Sequence, residues 1–161
     1  MTAAIDIVVE DPRWRGRIPD IVAATRRAAR AALAAARRGD GATTLSVALA
    51  DDARLRALNH DFRGRDKPTN VLSFPDGAAR PDGVVQLGDV ALAFDTCAAE
   101  ARAQGKTLRA HLTHLVVHGV LHLLGHDHER PGDALRMETL ERDVLAGLGI
   151  RDPYAARSAR R

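Results

Sequence analysis

The chain has 161 residues, enough for one domain with its own hydrophobic core and too few for two comfortable ones. It contains no apolar run of the roughly 18 residues that a membrane helix needs, and its first residues lack the pattern of a secretory signal. A single cysteine excludes an internal disulfide bond and is typical of the reducing cytoplasm. We therefore expect a cytoplasmic protein that does not contact a membrane.

Hydrophobic patterning predicts strands that alternate with helices early in the chain and helices alone near its end. Predicted strands lie at 4–11, 43–50, 70–75 and 87–94. Predicted helices lie at 21–38, 51–63, 95–105, 108–124 and 133–149. This order predicts one α+β domain over residues 1–161, with a small β-sheet. The basic tail after residue 150 is expected to fray, above all at 155–161.

The charged residues give weaker evidence about the function of the chain. The formal net charge is +3, and all but two of the 24 basic residues are arginine. The planar guanidinium group suits the recognition of phosphate, as in RNA. A chain dominated by alanine and arginine is also expected from a genome rich in G and C. Composition alone therefore leaves both explanations open.

The helix predicted at 108–124 runs into the segment HGVLHLLGHDH, which places histidines at His118, His122 and His128. Because an α-helix turns about 100° per residue, the first two lie one turn apart on the same face and can chelate one ion. Gly125 can adopt the positive φ that ends a helix, so that the chain reverses and His128 can supply a third nitrogen. Three protein nitrogens leave one position for water, which is typical of catalytic zinc. We predict one zinc ion per chain.

Other residues near this segment keep alternative roles open. Nickel or copper would also fit three histidines. We expect His111 and His114 to line the cleft or to support the ligands, and His126 to point elsewhere. Cys97, a small residue expected to be buried, and His114 are the candidates for a fourth ligand that would close a structural site. Asp127 is a possible base, but it is more naturally a hydrogen-bond acceptor for a ligating imidazole.

The histidine segment also departs from a known pattern. It aligns with the zinc-protease signature H-E-x-x-H-x-x-G-x-x-H at every histidine and at the glycine, but Gly119 stands where proteases carry glutamate. That glutamate accepts a proton, and losing such a base costs roughly 10²–10⁴ in rate. A peptidase would need a glutamate from elsewhere, with Glu100 and Glu129 nearest in sequence. Phosphodiester hydrolysis is favoured, because an ion and arginines can stabilise phosphoryl charge.

Several segments together resemble the YbeY family of metal-dependent endoribonucleases. They are FRGRDKPTNVLSFP at 62–75, LGDVALAF at 87–94, HGVLHLLGHDH at 118–128 and LGIRDPY at 148–154. The resemblance covers residues 50–154, and the histidine segment matches the family pattern H-G-x-L-H-L-x-G-x-D-H at every fixed position. It implies a compact α+β domain in which a small mixed β-sheet is flanked by helices. It also implies a metal-binding helix, similar to that of zinc proteases, at the floor of a cleft.

The resemblance also implies residue roles. His118, His122 and His128 would be the zinc ligands, and Arg63, which opens the second motif, would be the functional arginine of the cleft. In our working mechanism, Arg63 and Lys67 hold the phosphates of the RNA. The implied activity is cleavage of single-stranded RNA, in maturation of the 3′ end of small-subunit ribosomal RNA and in ribosome quality control.

The implied partners are the small ribosomal subunit, one of its proteins and an Era-like GTPase. The competing hypothesis is a ribosome-assembly binding factor in which zinc is structural and nuclease activity is incidental. A structural site needs four protein ligands, whereas a catalytic site keeps one position open. Replacing His118 by alanine separates these hypotheses, because only the structural role predicts unfolding when the metal is lost.

Overall fold

The computed structural model describes residues 3–37, 39, 41–63, 69–127 and 129–154, and for residues 62 and 63 it describes the backbone alone. These residues form one four-stranded sheet and six helices. The strands are β1 Ala3–Val9, β2 Thr43–Ala50, β3 Val71–Pro75 and β4 Val85–Ala93. The helices are α1 Arg13–Arg17, α2 Ile21–Ala36, α3 Asp52–Arg63, α4 Phe94–Ala103, α5 Leu108–Leu123 and α6 Pro131–Gly147. No helix in these ranges has the length and apolar character that crossing a membrane requires.

The sheet is mixed. Its strand order is β1-β2-β4-β3, in which β2 pairs in parallel with both β1 and β4. β3 pairs with β4 in the antiparallel direction, with Ser73 opposite Val90. The predicted class, a single α+β domain with a small mixed sheet and flanking helices, is confirmed.

The predicted elements are all present, with bounds that differ from the structure by at most two residues, and one helix was not predicted. Helix α1 was not predicted, because five residues are too few to show a helical period. It is nevertheless an anchor, since Trp14 is fully buried and its indole N–H donates to the carbonyl of Ala50 at 3.0 Å. Strand β4 begins at Val85, two residues earlier than predicted, because Val85 pairs with Thr43 at the start of β2.

Helix α5 is the central element of the core. It packs against α2, α4 and α6 and against strands β3 and β4. Most of its side chains are buried, which is typical of a core helix rather than an amphipathic surface helix. The Thr107 hydroxyl caps its start by accepting from the Ala110 N–H at 3.0 Å. At its end Gly125 has a φ of 95°, so the predicted glycine stop is confirmed.

Helix α5 lies close to the sheet at Gly119. A Cβ atom built there would lie 2.7 Å from Val90 Cγ1 and 3.2 Å from Ser73 Oγ. The Ser73 hydroxyl also donates to the Gly119 carbonyl at 3.0 Å. The side chain that zinc proteases carry at this position therefore has no room between α5 and the sheet.

The expectation of a frayed tail is wrong for residues 151–154. Arg142 on α6 holds Asp152, with 3.1 Å between Nε and Oδ2. Asp152 in turn accepts from the Tyr154 N–H at 2.8 Å, and the Tyr154 hydroxyl donates to Glu141. These contacts fix the segment against α6. Residues 155–161 lie outside the described part of the chain.

Candidate metal centre

Four histidines form a row along one face of α5. Successive ring centroids are 6.5 Å apart for His111 and His114, 6.3 Å for His114 and His118, and 4.7 Å for His118 and His122. Side-chain exposure rises from 4% at His111 to 14% at His114 and 22% at His118. The C-terminal part of the row is therefore more accessible to a substrate than its N-terminal end.

The pair predicted from sequence is brought together at that end. Nε2 of His118 lies 3.1 Å from Nε2 of His122. Two nitrogens bound to one tetrahedral zinc ion at 2.0–2.1 Å lie about 3.3 Å apart. The separation is therefore close to the one that a shared ion requires, and it also lets one ring donate a hydrogen bond to the other.

Glu141 on α6 contacts the other side of the His118 ring. It is fully buried, and Oε1 accepts a hydrogen bond from Nδ1 of His118. Oε2 accepts from the Tyr154 hydroxyl and lies 3.4 Å from Nε2 of His114. Burial alone would raise the pKa of Glu141, but the contacts with His114, His118 and Tyr154 outweigh it and lower the pKa to about 2. The carboxylate is therefore charged at neutral pH.

A second set of residues at this site lies close enough together to hold a metal ion. Within the described ranges, the one group of three donors close enough to hold a metal is His114, His118 and Glu141. In that group, however, His118 Nδ1 and Glu141 Oε1 are in direct hydrogen-bond contact, closer than the distance of about 3.3 Å between two ligands of one zinc ion. A carboxylate that receives the second ring N–H is the usual support of a ligating imidazole. These contacts favour His118 Nε2 as the ligating atom and Glu141 as its support.

A second carboxylate contacts the buried end of the row. Glu100 Oε1 lies 2.9 Å from His111 Nε2 and accepts from the Asn70 side-chain amide at 2.9 Å. The Asn70 carbonyl accepts from the Ala93 N–H at 3.0 Å and from the Cys97 thiol at 3.5 Å. This network ties Asn70, within the segment at 62–75, to helices α4 and α5. Burial raises the pKa of the Cys97 thiol above its ordinary range, so it is a protonated donor in the core.

The His111 network predicts a specific dependence of stability on pH. Burial lowers the pKa of His111, and the Glu100 carboxylate opposes this only in part. Because the unfolded chain then takes up the proton more readily, His111 should reduce the free energy of unfolding as the pH falls below about 6.5. Urea unfolding between about pH 8 and about pH 5 should show a steeper loss for the wild type than for His111→Asn. Equal slopes for the two proteins would contradict this prediction.

The structure describes only some of the other residues that were predicted to act at this site. Asp127 is exposed and accepts from the Glu129 N–H at 2.9 Å, so the acceptor on His118 is Glu141 rather than Asp127. The structure does not describe Lys67, His128 or the side chain of Arg63, so the roles of these three residues remain predictions.

Glu141 was missed by the sequence analysis. It follows His118 by 23 residues on another helix, a separation that no spacing rule covers. The helical spacing nevertheless pointed to Glu141, because it lies on the buried face of α6 between Met137 and Leu145. A glutamate at such a position indicates a buried partner, since an unpaired buried carboxylate is costly.

Comparison with known proteins identifies the family. Residues 12–149 match the profile of a family described as Endoribonuclease YbeY. A protein of that name from Paramagnetospirillum magneticum is 53% identical over 161 residues, covering 96% of this chain and 98% of the relative. Another, from Azorhizobium caulinodans, is 53% identical and covers 94% and 96%. The solution structure of TM1509 from Thermotoga maritima shares the fold, with a TM-score of 0.53 at 23% identity over 89% and 91% of the two chains. The chain belongs to the Endoribonuclease YbeY family.

Proposed function

We propose that this chain is a zinc-dependent endoribonuclease that cuts single-stranded RNA. Family membership supports the reaction class. The observation that carries the metal dependence is the separation of 3.1 Å between the Nε2 atoms of His118 and His122, with Glu141 behind His118. One zinc ion per chain would be held by these two residues and by His128. Such an ion supplies an activated water and withdraws negative charge from the phosphoryl oxygens.

The protein's own groups have separate roles in this proposal. His118 and His122 hold the ion at the accessible end of the row, and Glu141 keeps the ring proton of His118 on Nδ1. Arg63 and Lys67 hold phosphates of the RNA through charge-assisted hydrogen bonds. Asn70, which follows both residues in the chain, is anchored to Glu100, and Glu100 contacts His111 in the histidine row.

The proposed physiological role is maturation of the 3′ end of small-subunit ribosomal RNA and quality control of ribosomes in the cytoplasm. Its proposed partners are the small ribosomal subunit, one of its proteins and an Era-like GTPase. This part of the proposal rests on the family resemblance of the motifs. Residues 1–161 would act as one unit.

The competing role, an assembly factor with structural zinc, needs a fourth protein ligand. The Cys97 thiol, one of the two candidates from sequence, donates to the Asn70 carbonyl and is engaged elsewhere. The other, His114 Nε2, is buried without a hydrogen-bond partner among the described residues and lies 3.4 Å from Glu141 Oε2, in the carboxylate that contacts His118 at Nδ1 rather than at Nε2. These positions favour an open, catalytic position on the ion.

The proposal is tested by cleavage of a short single-stranded RNA, with zinc content measured on the same samples. Wild type should hold about one zinc ion and cut the RNA. His128→Ala should lose both properties, whereas Arg63→Ala should keep its zinc and cut at least about 10²-fold more slowly. Arg30→Ala, on the exposed face of α2, is the matched control and should resemble wild type. If wild type holds zinc but leaves the RNA intact, the assembly-factor hypothesis is favoured.

A further inference from the structure

We propose that Tyr154 and Glu141 together form a positioning pair for the metal centre. In this pair the tyrosine hydroxyl fixes the carboxylate, and the carboxylate fixes both the orientation and the protonated nitrogen of the His118 ring. The inference rests on the proposed function, in which His118 is a metal ligand. It assigns the segment at 151–154 to the metal centre.

The carboxylate of Glu141 is held at both oxygens. Oε1 receives the Nδ1–H of His118, and Oε2 receives the hydroxyl of Tyr154. The side chain is fully buried, on a helix face shared with the buried Met137 and Leu145. Rotation of the carboxylate would break a charge-assisted hydrogen bond at a fully buried side chain, which makes this orientation strongly preferred.

Tyr154 is itself held from several directions. Its ring packs edge to face on His114, with the centroids 5.8 Å apart. The Arg142 guanidinium lies 5.5 Å from the ring centroid, and the Tyr154 N–H donates to Asp152. The phenol is therefore placed by packing, by a cation–π contact and by its backbone, and it presents its hydroxyl to Glu141 in a defined position.

The chemical consequence concerns the tautomer of His118. A neutral imidazole carries one N–H, and an ionised carboxylate can only accept. Glu141 therefore selects the form with the proton on Nδ1, which directs the lone pair of Nε2 toward His122. A glutamine at position 141 has no charge and can turn its N–H₂ group toward Nδ1. It would therefore no longer select the Nδ1–H form and would admit a proton on Nε2, the nitrogen that must ligate.

The test compares Glu141→Gln and Tyr154→Phe with Asp143→Asn, a carboxylate-to-amide control on the exposed face of α6. Three quantities are measured: the ring-nitrogen NMR shifts of His118 in metal-free protein, the affinity for Zn²⁺ in competition with a chelator, and the free energy of unfolding. Glu141→Gln should shift His118 toward the Nε2–H form and weaken Zn²⁺ binding by about 10–100-fold. Tyr154→Phe should keep the Nδ1–H form and weaken binding by about tenfold. Asp143→Asn should match wild type.

A purely structural role would give a different result. Glu141→Gln would then lower the free energy of unfolding, while the tautomer and the Zn²⁺ affinity of the folded protein stayed those of wild type, and the proposal would be wrong. If Glu141→Gln does not fold, Tyr154→Phe decides, because wild-type Zn²⁺ affinity in that variant contradicts the tyrosine's role. A wild type with the Nδ1–H tautomer and bound zinc but no RNA cleavage would support the positioning pair and contradict the proposed nuclease function.

Discussion

Replacing His118 by alanine is expected to abolish zinc binding and RNA cleavage together while the protein remains folded. The variant loses one of three proposed ligands and the nitrogen that faces His122 at 3.1 Å. We expect Zn²⁺ affinity to fall at least about 10²-fold and cleavage at least about 10³-fold. The fold should survive with a loss of about 1–3 kcal/mol, because Glu141 keeps the Tyr154 hydroxyl but loses one buried partner.

Three measurements on the same sample check this expectation: bound zinc, the rate of RNA cleavage and urea unfolding. His60→Ala, an exposed histidine of α3 with no place in the row, is the control and should leave all three unchanged. If His118→Ala unfolds, and wild type also unfolds when a chelator removes its zinc, then the metal is structural. The assembly-factor hypothesis would then replace the catalytic one.

Introducing the protease glutamate as Gly119→Glu is expected to unfold the protein or to cost at least about 4 kcal/mol of stability. The Cβ atom alone would lie 2.7 Å from Val90 Cγ1, and overpacking of this kind costs about 1–3 kcal/mol. The added carboxylate would be buried between α5 and the sheet without a designed partner, which costs several kcal/mol more. Since domains are stable by only about 5–15 kcal/mol, little margin would remain.

Gly119→Ala isolates the steric part and should lower the free energy of unfolding by about 1–3 kcal/mol in urea. Gly147→Ala is the matched control, because Gly147 also lies in a helix but a Cβ atom there meets open space. That variant should be neutral or more stable by up to about 1 kcal/mol. Wild-type stability in Gly119→Glu would show that α5 does not pack on β3 and β4 in solution. No gain of peptidase activity is expected in any of these proteins.

The features that could be predicted from sequence are local ones. The pairing of His118 with His122 follows from the helical repeat, and the end of α5 follows from the backbone freedom of Gly125. The small sheet followed from the order of strands and helices, and its mixed character from the family resemblance. The strand order β1-β2-β4-β3 did not follow from either, because pairing is decided by tertiary packing. Similarly, the role of Glu141 depends on the way in which α6 lies against α5, and that of Tyr154 on a chain turn after α6.

The steric constraint at Gly119 shows how sequence motifs can mislead. The segment matches the protease pattern at every histidine and at the glycine. Its helix nevertheless lies too close to the sheet for the glutamate that a zinc protease carries at this position. The metal-binding part of the motif and its catalytic base are therefore separable in physical terms. The spacing of the histidines depends on the geometry of the helix alone. The residue that can follow the first histidine depends on what the helix packs against.

The anchoring of Glu141 by Tyr154 has a consequence for the timing of metal acquisition. Ribosomes build the chain from its N-terminus, so His118 and His122 emerge before the α6 carboxylate and the tyrosine that fixes it. A nascent chain that has presented only the histidines has an imidazole whose tautomer is not yet selected. At the proposed zinc site, full affinity for the ion would therefore be gained only after Tyr154 has been synthesised and has folded back onto α6. An enzyme that acts on RNA would in this way stay poorly metallated during most of its own translation.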